Sequence, residues 1–446
     1  MIKVLIANRG EIAVRILKTC KKLHYQTVAV YSDVDKESLH VSLSDEAYPL
    51  EGNQTKDTYL NIEKIIQIAK SSNVTAIHPG YGFLSENTEF ARRCKEEGII
   101  FIGPSPEHIE LMGEKIRARQ LMESLNIPVI KGDSNPLPSV DQAIKLAEEI
   151  GYPVMLKASS GGGGIGMKLI SNPDQLEKEF LPTQQRAAQF FGNGDVFLEK
   201  AILSPRHIET QIIGDQHGHS VFLFERDCSI QRRNQKVIEE APSPFLSSVG
   251  RKKLKDYSLH IAKSLNYCNV GTIEFLMDEQ ENIYFLEMNT RLQVEHGVTE
   301  GITGIDLVEW QFRVAFGERL PVHESEITSD GHSIELRLYA EDPTTFFPSP
   351  GTITSCLFPE HENIRVDTHI YNGWSVSPFY DPLLAKIIVT KNNRFEAIQL
   401  LETYLKEIEI TGIKTNLPFL QIVLETESFR EGNYTTNFIN EYQKVK

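Results

Sequence analysis

Cysteine is scarce in this sequence. Its five residues in 446, Cys20, Cys94, Cys228, Cys268 and Cys356, are odd in number, widely spaced and without a CxxC pair. That pattern argues against a disulfide framework or a zinc knuckle, and a reducing cytoplasm is the expected setting. No apolar run reaches the roughly 18 residues of a membrane span, and the opening MIKVLIANRGEIAVR is broken by Asn8, Arg9 and Glu11, so neither export nor membrane anchoring is expected. Positive charge is in deficit. With 46 Lys+Arg against 61 Asp+Glu the net charge is −15, which excludes general attraction to nucleic acid or anionic lipid and leaves room only for a local basic pocket. Three motifs are also missing: GxGxxG after the first apolar run, GK[ST] after the later glycine run, and HExxH among the 13 histidines. Dinucleotide binding at the first turn, a Walker A loop and a zincin site are therefore not expected.

What is present is a globular composition, 40% hydrophobic and 24% charged, at a length that suggests about three domains. KVLIAN (3–8), RGEIAVRILKTCKKL (9–23) and TVAVYS (27–32) read as strand, helix and strand, a parallel βαβ unit, and TAIHPGYGFLSEN (75–87) as a later strand running into a loop. The second region opens near Glu114; YPVMLKASSGGGGIGMKLI reads as strand, glycine loop, strand, and is followed by a polar helix and β-rich segments. From about Gly331 the alternating HSIELRLYAED begins a third region that closes with a helix over 394–408.

Glycines 161 to 164 and Gly166 clear side chains from the backbone so that N–H groups can approach a polyanion, with Lys157 just before them. By itself the run is equally compatible with a flexible surface hairpin. GTIEFLMDEQENIYFLEMN (271–289) reads as a hairpin turning near Gln280 and Glu281. Counting outward, Glu274 and Glu287 fall opposite each other, and Asn289 shares the face of Glu287. Three hard oxygen ligands suit Mg²⁺ or Mn²⁺ rather than zinc; two solvated glutamates are the other reading. TRLQVEH (290–296) then places Arg291 and Glu295 close by, with Arg291 either functional or a simple counter-ion. ERDCSIQRRNQK (225–236) is either a solvated edge or, through Arg232, Arg233 and Lys236, a positive stripe for a small anion. HPGYGF and EDPTTFFPSPG read as turns without chemistry of their own.

In their order, ANRGEIAVRI, HPGYGFLSEN, LKASSGGGGIGM, ERDCSIQRRNQK, EMNTRLQVEH and RLYAEDP make the whole chain resemble the biotin carboxylase family. The resemblance implies an α/β fold with a Rossmann-like N-terminal domain (1–113), a central ATP-grasp domain (114–318) whose glycine-rich lid spans about 131–203, and a C-terminal α+β domain (331–440). It implies an ATP-dependent ligase that makes carboxyphosphate from bicarbonate and carboxylates carrier-bound biotin, the first half-reaction of an acyl-CoA carboxylase, acetyl-CoA being the expected acceptor in fatty acid synthesis. ATP would be held by Lys115, Lys157, Gly163, Gly164, Glu199, Lys200, Ala201, Ile202, His207, Asn234, Glu274 and Glu287. Two Mg²⁺ or Mn²⁺ ions would sit on Glu274, Glu287 and Asn289, and bicarbonate on Lys236, Arg291 and Val294. Glu295 would be the base, Arg291 would stabilise the biotin enolate and Arg337 would orient biotin.

The carrier protein and carboxyltransferase are expected in trans, since no MKM site occurs, and a homodimer is expected. The sequence departs from the family pattern at Ser160, Ile165 and Asn234, which implies fewer charge-assisted contacts to the nucleotide, and at Lys18 and Lys22, where the family has a mixed-charge dimer contact. An ATP-grasp carboxylate–amine ligase and a non-catalytic carboxylase subunit are the alternative readings.

Overall fold

The computed structural model describes residues 2–133, 135–159 and 166–445. The expected βαβ unit forms as Lys3–Ile6, Gly10–Lys22 and Gln26–Tyr31. Ile12, Ile16 and Leu17 of the helix are buried against the strands, and Glu11 in its first turn with Lys21 and Lys22 in its last suit the helix dipole. The parallel sheet runs Glu46–Pro49, Gln26–Tyr31, Lys3–Ile6, Ala76–His78, Ile100–Phe101 in spatial order. Its strand ends aim the loops bearing Asn8, Arg9 and the 79–86 turn at the centre of the molecule, as α/β sheets commonly do.

Strands Val154–Ala158 and Met167–Ile170 pair antiparallel, with Lys157 opposite Met167, so the residues flanking the glycine run form the expected strand–loop–strand. The run itself, 160–165, lies outside the described residues. Val196–Lys200 joins the other edge of Val154–Ala158 to complete a three-stranded sheet, backed by helices Val140–Ile150 and Pro173–Phe191, whose apolar faces share one core with it.

The centre is an eight-stranded antiparallel sheet in the order Ile283–Asn289, Asn269–Met277, Arg206–Gly214, Ser220–Arg232, Gln235–Ala241, His332–Tyr339, Leu383–Lys391, Ile364–Thr368. It runs unbroken from the second sequence region into the third, through the pairing of Ile238 with Leu336 and Glu240 with Ile334. The reading of 225–236 as a solvated edge fails here, because Ser220–Arg232 is an interior strand with Asp227, Cys228 and Ser229 buried. The helix expected over 394–408 ends at Tyr404 and does not close the chain, which goes on to strand Glu409–Thr411 against Ser355–Leu357 and then to helices Leu417–Glu425, Glu427–Arg430 and Phe438–Val445. Among the described residues the five cysteines are free and no helix is long and apolar enough to cross a membrane.

Gly132 links the lid sheet to the segment leading into it. A Cβ there would lie 2.4 Å from the Leu198 carbonyl oxygen and 2.8 Å from the Glu199 Cα, contacts that only a backbone shift relieves. Gly132→Ala is expected to push strand Val196–Lys200 outward and cost about 1–3 kcal/mol, the usual range for overpacking. Thermal unfolding measures this, and an unchanged midpoint would show that the strand moves freely.

Candidate active site

The loops of the parallel sheet, the three-stranded sheet and the central sheet enclose a cavity of about 1360 Å³, larger than the roughly 300–1,000 Å³ of most small-ligand pockets. Its wall includes Lys115, Lys157, Glu199, Lys200, Ala201, Ile202, His207, Asn234, Lys236, Glu274, Glu287, Asn289, Arg291, Val294 and Arg337. Gly163 and Gly164 lie outside the described residues, as do Ser160 and Ile165. Glu295 is placed differently: it is fully buried, behind Lys236 and Arg337 rather than on the wall. Lys200 lines the cavity, but its ammonium turns to the Gly151 and Tyr152 carbonyls, 2.8 and 3.1 Å away.

Glu274 and Glu287 face each other by way of a β-bulge. Near the turn Met277 pairs with Ile283 and Phe275 with Phe285, whereas Glu274 pairs with Glu287, leaving Leu286 as the extra residue. Without the bulge Glu274 would face Leu286 and Glu287 would project from the opposite side. Asn289 joins them, its Nδ2 donating to Glu274 Oε1 at 2.8 Å. These oxygen donors beside a roomy cavity fit a divalent cation of the Mg²⁺ class.

Lys115 and Lys157 on the wall already have carboxylate partners. Lys115 Nζ is 3.1 Å from Glu287 Oε2, and Lys157 pairs with Glu199. Burial opposes the Lys115 charge most strongly of the single influences, but Glu287, Glu199 and Glu274 together hold its pKa above the usual ammonium range. His207 Nε2 lies 2.9 Å from Glu274 Oε2 and its Nδ1 2.7 Å from the Gln231 amide. Burial pulls its pKa down, and Glu274 more than restores it, so the net shift is upward.

Lys236 is the hub. Its Nζ donates to Glu209 at 2.5 Å, Glu274 at 3.0 Å and Glu295 at 2.6 Å. Despite burial, these carboxylates raise it well above the usual ammonium range, while Lys236 and His207 hold Glu274 well below the usual carboxylate range. The expected positive stripe is thereby divided. Lys236 points into an acidic nest, Arg232 pairs with Glu341 at 2.7 Å beneath Phe346, and Arg233 and Asn234 occupy the turn with positive φ.

Arg291 is held from several sides: Glu86 accepts from Nε at 2.7 Å, Gln293 from Nη1 at 2.9 Å and Asn289 from Nη2 at 2.8 Å. Val294 gives its carbonyl to Lys386 at 2.8 Å. The Tyr81–Phe83 turn reads from sequence as lacking chemistry, and Glu86 beside it in HPGYGFLSEN is not singled out there, nor is Glu209. Glu209 stands in a strand buried at every position and takes Arg226 Nε at 2.5 Å; a carboxylate in a strand otherwise rich in β-formers was the available signal. Glu86 had none, since its partners lie 204 and 205 residues away.

A three-stranded sheet bringing Lys157, a helix bringing Lys115 and a hairpin bringing Glu274, Glu287 and Asn289 to one cavity are the arrangement of an ATP-grasp enzyme. Models of protein families match the chain in sequence: biotin carboxylase, N-terminal domain, over 1–109; carbamoyl-phosphate synthase L chain, ATP binding domain, over 114–323; and biotin carboxylase C-terminal domain over 335–441. The chain is 56% identical to the biotin carboxylase of Halalkalibacterium halodurans, covering 100% of this chain and 98% of that one, and 54% identical to biotin carboxylase 2 of Bacillus subtilis, covering 99% of each. The biotin carboxylase domain of Hydrogenobacter thermophilus 2-oxoglutarate carboxylase, solved with MgADP, ADP and bicarbonate, superposes with a TM-score of 0.97 at 46% identity over 99% of this chain and 98% of that one. Campylobacter jejuni biotin carboxylase gives 0.97 at 44% identity over 98% of each chain. The chain belongs to the biotin carboxylase family.

The nest beneath Lys236 rests on Arg226, which is wholly buried and also donates to Gln211, Thr299 and Thr272. Arg226→Met keeps the volume and strands Glu209 with a single cation, so a loss of about 3–5 kcal/mol is expected. Urea denaturation measures it. A loss under about 1 kcal/mol would mean that Lys236 alone neutralises Glu209.

Proposed function

We propose that this chain uses ATP and bicarbonate to form carboxyphosphate and passes the carboxyl group to the ureido nitrogen of biotin on a carrier protein. One observation carries the reading: Lys236 sits between the metal hairpin and the buried Glu295, which in turn touches Arg337. A binding cation and a biotin-orienting cation on the cavity wall are thus both in contact with the base buried directly behind them.

The division of labour follows from the chemistry. Bicarbonate is a weak nucleophile and repels the γ-phosphate, so cations must offset the repulsion and a carboxylate must take its proton. Lys115, Lys157 and His207 form the positive wall for the polyphosphate, and Glu274, Glu287 and Asn289 hold the metal ions. Those ions, when bound, neutralise phosphate charge and align the transferring group. Lys236 and Arg291 receive bicarbonate beside Val294, and Glu295 accepts the bicarbonate O–H proton as the oxygen attacks the γ-phosphorus and ADP leaves. Arg291, fixed by Glu86, Gln293 and Asn289, offsets charge on the biotin enolate, and Arg337 orients the ureido ring. The lid spanning about 131–203 keeps water from the labile carboxyphosphate, and we assign 1–113, 114–318 and 331–440 as the domains.

Relatives at 46% identity are subunits of 2-oxoglutarate carboxylase and methylcrotonoyl-CoA carboxylase, which supports an acceptor chosen by the partner chain; acetyl-CoA is the one to test first. We also assign a reducing cytoplasm, carrier and carboxyltransferase partners in trans, and a homodimer. The dimer reading is supported by the dimeric relative from Hydrogenobacter thermophilus. Lys22 already pairs with Glu309 at 2.8 Å within its own chain, so its place in a dimer contact differs from the family pattern.

Phosphate release from MgATP is expected to depend on bicarbonate and to accelerate with free biotin. Turnover that ignores both but answers to an amine and a carboxylate would indicate the ligase alternative; ATP binding without turnover would indicate a non-catalytic subunit.

Glu287→Gln keeps the shape of the metal hairpin and removes a charge, so the Mg²⁺ concentration for half-maximal rate should rise sharply with the fold intact. An unchanged Mg²⁺ dependence would remove Glu287 from the metal site. Glu295→Gln is expected to lower bicarbonate-dependent ATP cleavage by about 10²–10⁴-fold, the usual contribution of a positioned base. Near-normal turnover in that variant would assign the base elsewhere.

A further inference from the structure

Glu239 and Glu335 stand directly opposite each other on adjacent strands of the central sheet, as Glu274 does to both Glu287 and Glu209. Unlike Glu274 and Glu287, they face no cavity. Both are fully buried. Glu239 Oε1 touches Arg337 Nη2 at 2.5 Å, and Glu335 Oε1 lies 4.0 Å from Arg337 Nε. Beyond these contacts, no oxygen of either has a hydrogen-bond partner among the described residues. Gly297 leaves no room for one, since a Cβ on it would come within 3.3 Å of Glu335 Oε2.

The same Arg337 Nη2 also donates to Glu295 at 2.8 Å. Three buried carboxylates therefore converge on one guanidinium. The other charged and titratable groups facing them are Lys236 from the strand of Glu239, Tyr339 beside Arg337, Lys386 from Leu383–Lys391 and Cys228 from Ser220–Arg232. Neither lysine is free to compensate. Lys236 is shared with Glu209 and Glu274, and Lys386 lies 3.5 Å from Glu11 and 3.6 Å from Asp367.

On the proposed function above, this arrangement bears on a difficulty. Lys236, Arg337 and Arg226 outweigh burial to hold Glu295 well below the usual carboxylate range, which makes it a weak base for bicarbonate. We propose that Glu239, backed by Glu335, is a positioning residue for the first chemical step: it competes with Glu295 for Arg337 Nη2 and so sets how strongly Glu295 attracts the bicarbonate proton.

Two opposed buried carboxylates with one shared cation retain a proton between them. Burial raises both, Glu239 to about 7 and Glu335 well above its ordinary value. While Glu239 is protonated, Arg337 belongs to Glu295. When Glu239 ionises it draws the guanidinium and adds a negative charge near Glu295, making Glu295 the better base. The rate of bicarbonate-dependent ATP cleavage therefore rises with pH through about 7.

The test is the pH profile of kcat for the full-length chain, at saturating MgATP, free biotin and bicarbonate ion. Glu239→Gln should abolish the rise and hold kcat at about a tenth of the wild-type plateau, corresponding to one unit of lost basicity, with ATP KM unchanged. Glu239→Asp should restore it. Glu335→Gln replaces a carboxyl that burial keeps protonated through this range with a neutral amide, so the rise and its midpoint should stay in place, which assigns the titration to Glu239 rather than to its neighbour.

A rise that survives in Glu239→Gln, or one that is lost in Glu335→Gln, overturns the proposal while leaving the enzymatic reading intact. Should Glu239→Gln not fold, Glu239→Asp decides: its rise should remain with a moved midpoint, and an unmoved midpoint overturns the proposal. A wild-type chain without bicarbonate-dependent ATP cleavage overturns both.

Discussion

One ammonium inside a ring of carboxylates organises this molecule. Lys236 bonds Glu209, Glu274 and Glu295, and each of these has a second cationic partner: Arg226, His207 and Arg337. Burying isolated charges costs several kcal/mol each, and only mutual pairing with further hydrogen bonds offsets it. The network therefore tolerates little displacement of any member. Arg226 illustrates this, with four side chains anchoring one guanidinium at zero exposure.

The sheet makes such a network possible because it is buried on both faces at its centre. Along His332–Tyr339, Ile334, Leu336 and Leu338 enter the apolar core with Ile387 and Val389, while Glu335 and Arg337 face the charged layer. From sequence, HSIELRLYAED has the alternation of a strand with one wet face. Every residue of its strand His332–Tyr339 is buried, because helix His296–Thr303 packs over the polar side through Gly297 and Gly301, where a Cβ would meet Ile388, Thr390 and Ser333. A period of two separates two faces and says nothing of what covers either.

That limit explains which parts of the site were legible. Residues close in sequence could be assembled by counting: the hairpin ligands, Arg291 and Glu295. Even there, the facing of Glu274 and Glu287 depends on a bulge at Leu286 that compensates for a turn centred one half-step earlier than the count assumed. Glu86, inside HPGYGFLSEN but not marked out there, and Glu239, in no motif, touch Arg291 and Arg337 only through contacts across 205 and 98 residues. The apparent break between the second and third regions was also invisible as a junction, since Gln235–Ala241 and His332–Tyr339 are neighbours in one sheet.

The same pairing determines how ligands can enter. On the proposed assignment, Lys115 and Lys157 would meet the polyphosphate, and both are bound to Glu287 and Glu199, so a nucleotide would have to exchange a carboxylate for a phosphate at each lysine. Glu287 would then be left unpaired in the hairpin unless a divalent ion arrived with the nucleotide, which would make binding of the two mutually reinforcing. Bicarbonate would face a parallel exchange at Lys236, which Glu209, Glu274 and Glu295 already hold, and a cation on Glu274 would weaken one of those holds. Each ligand would thereby free the cation or carboxylate that the next one needs.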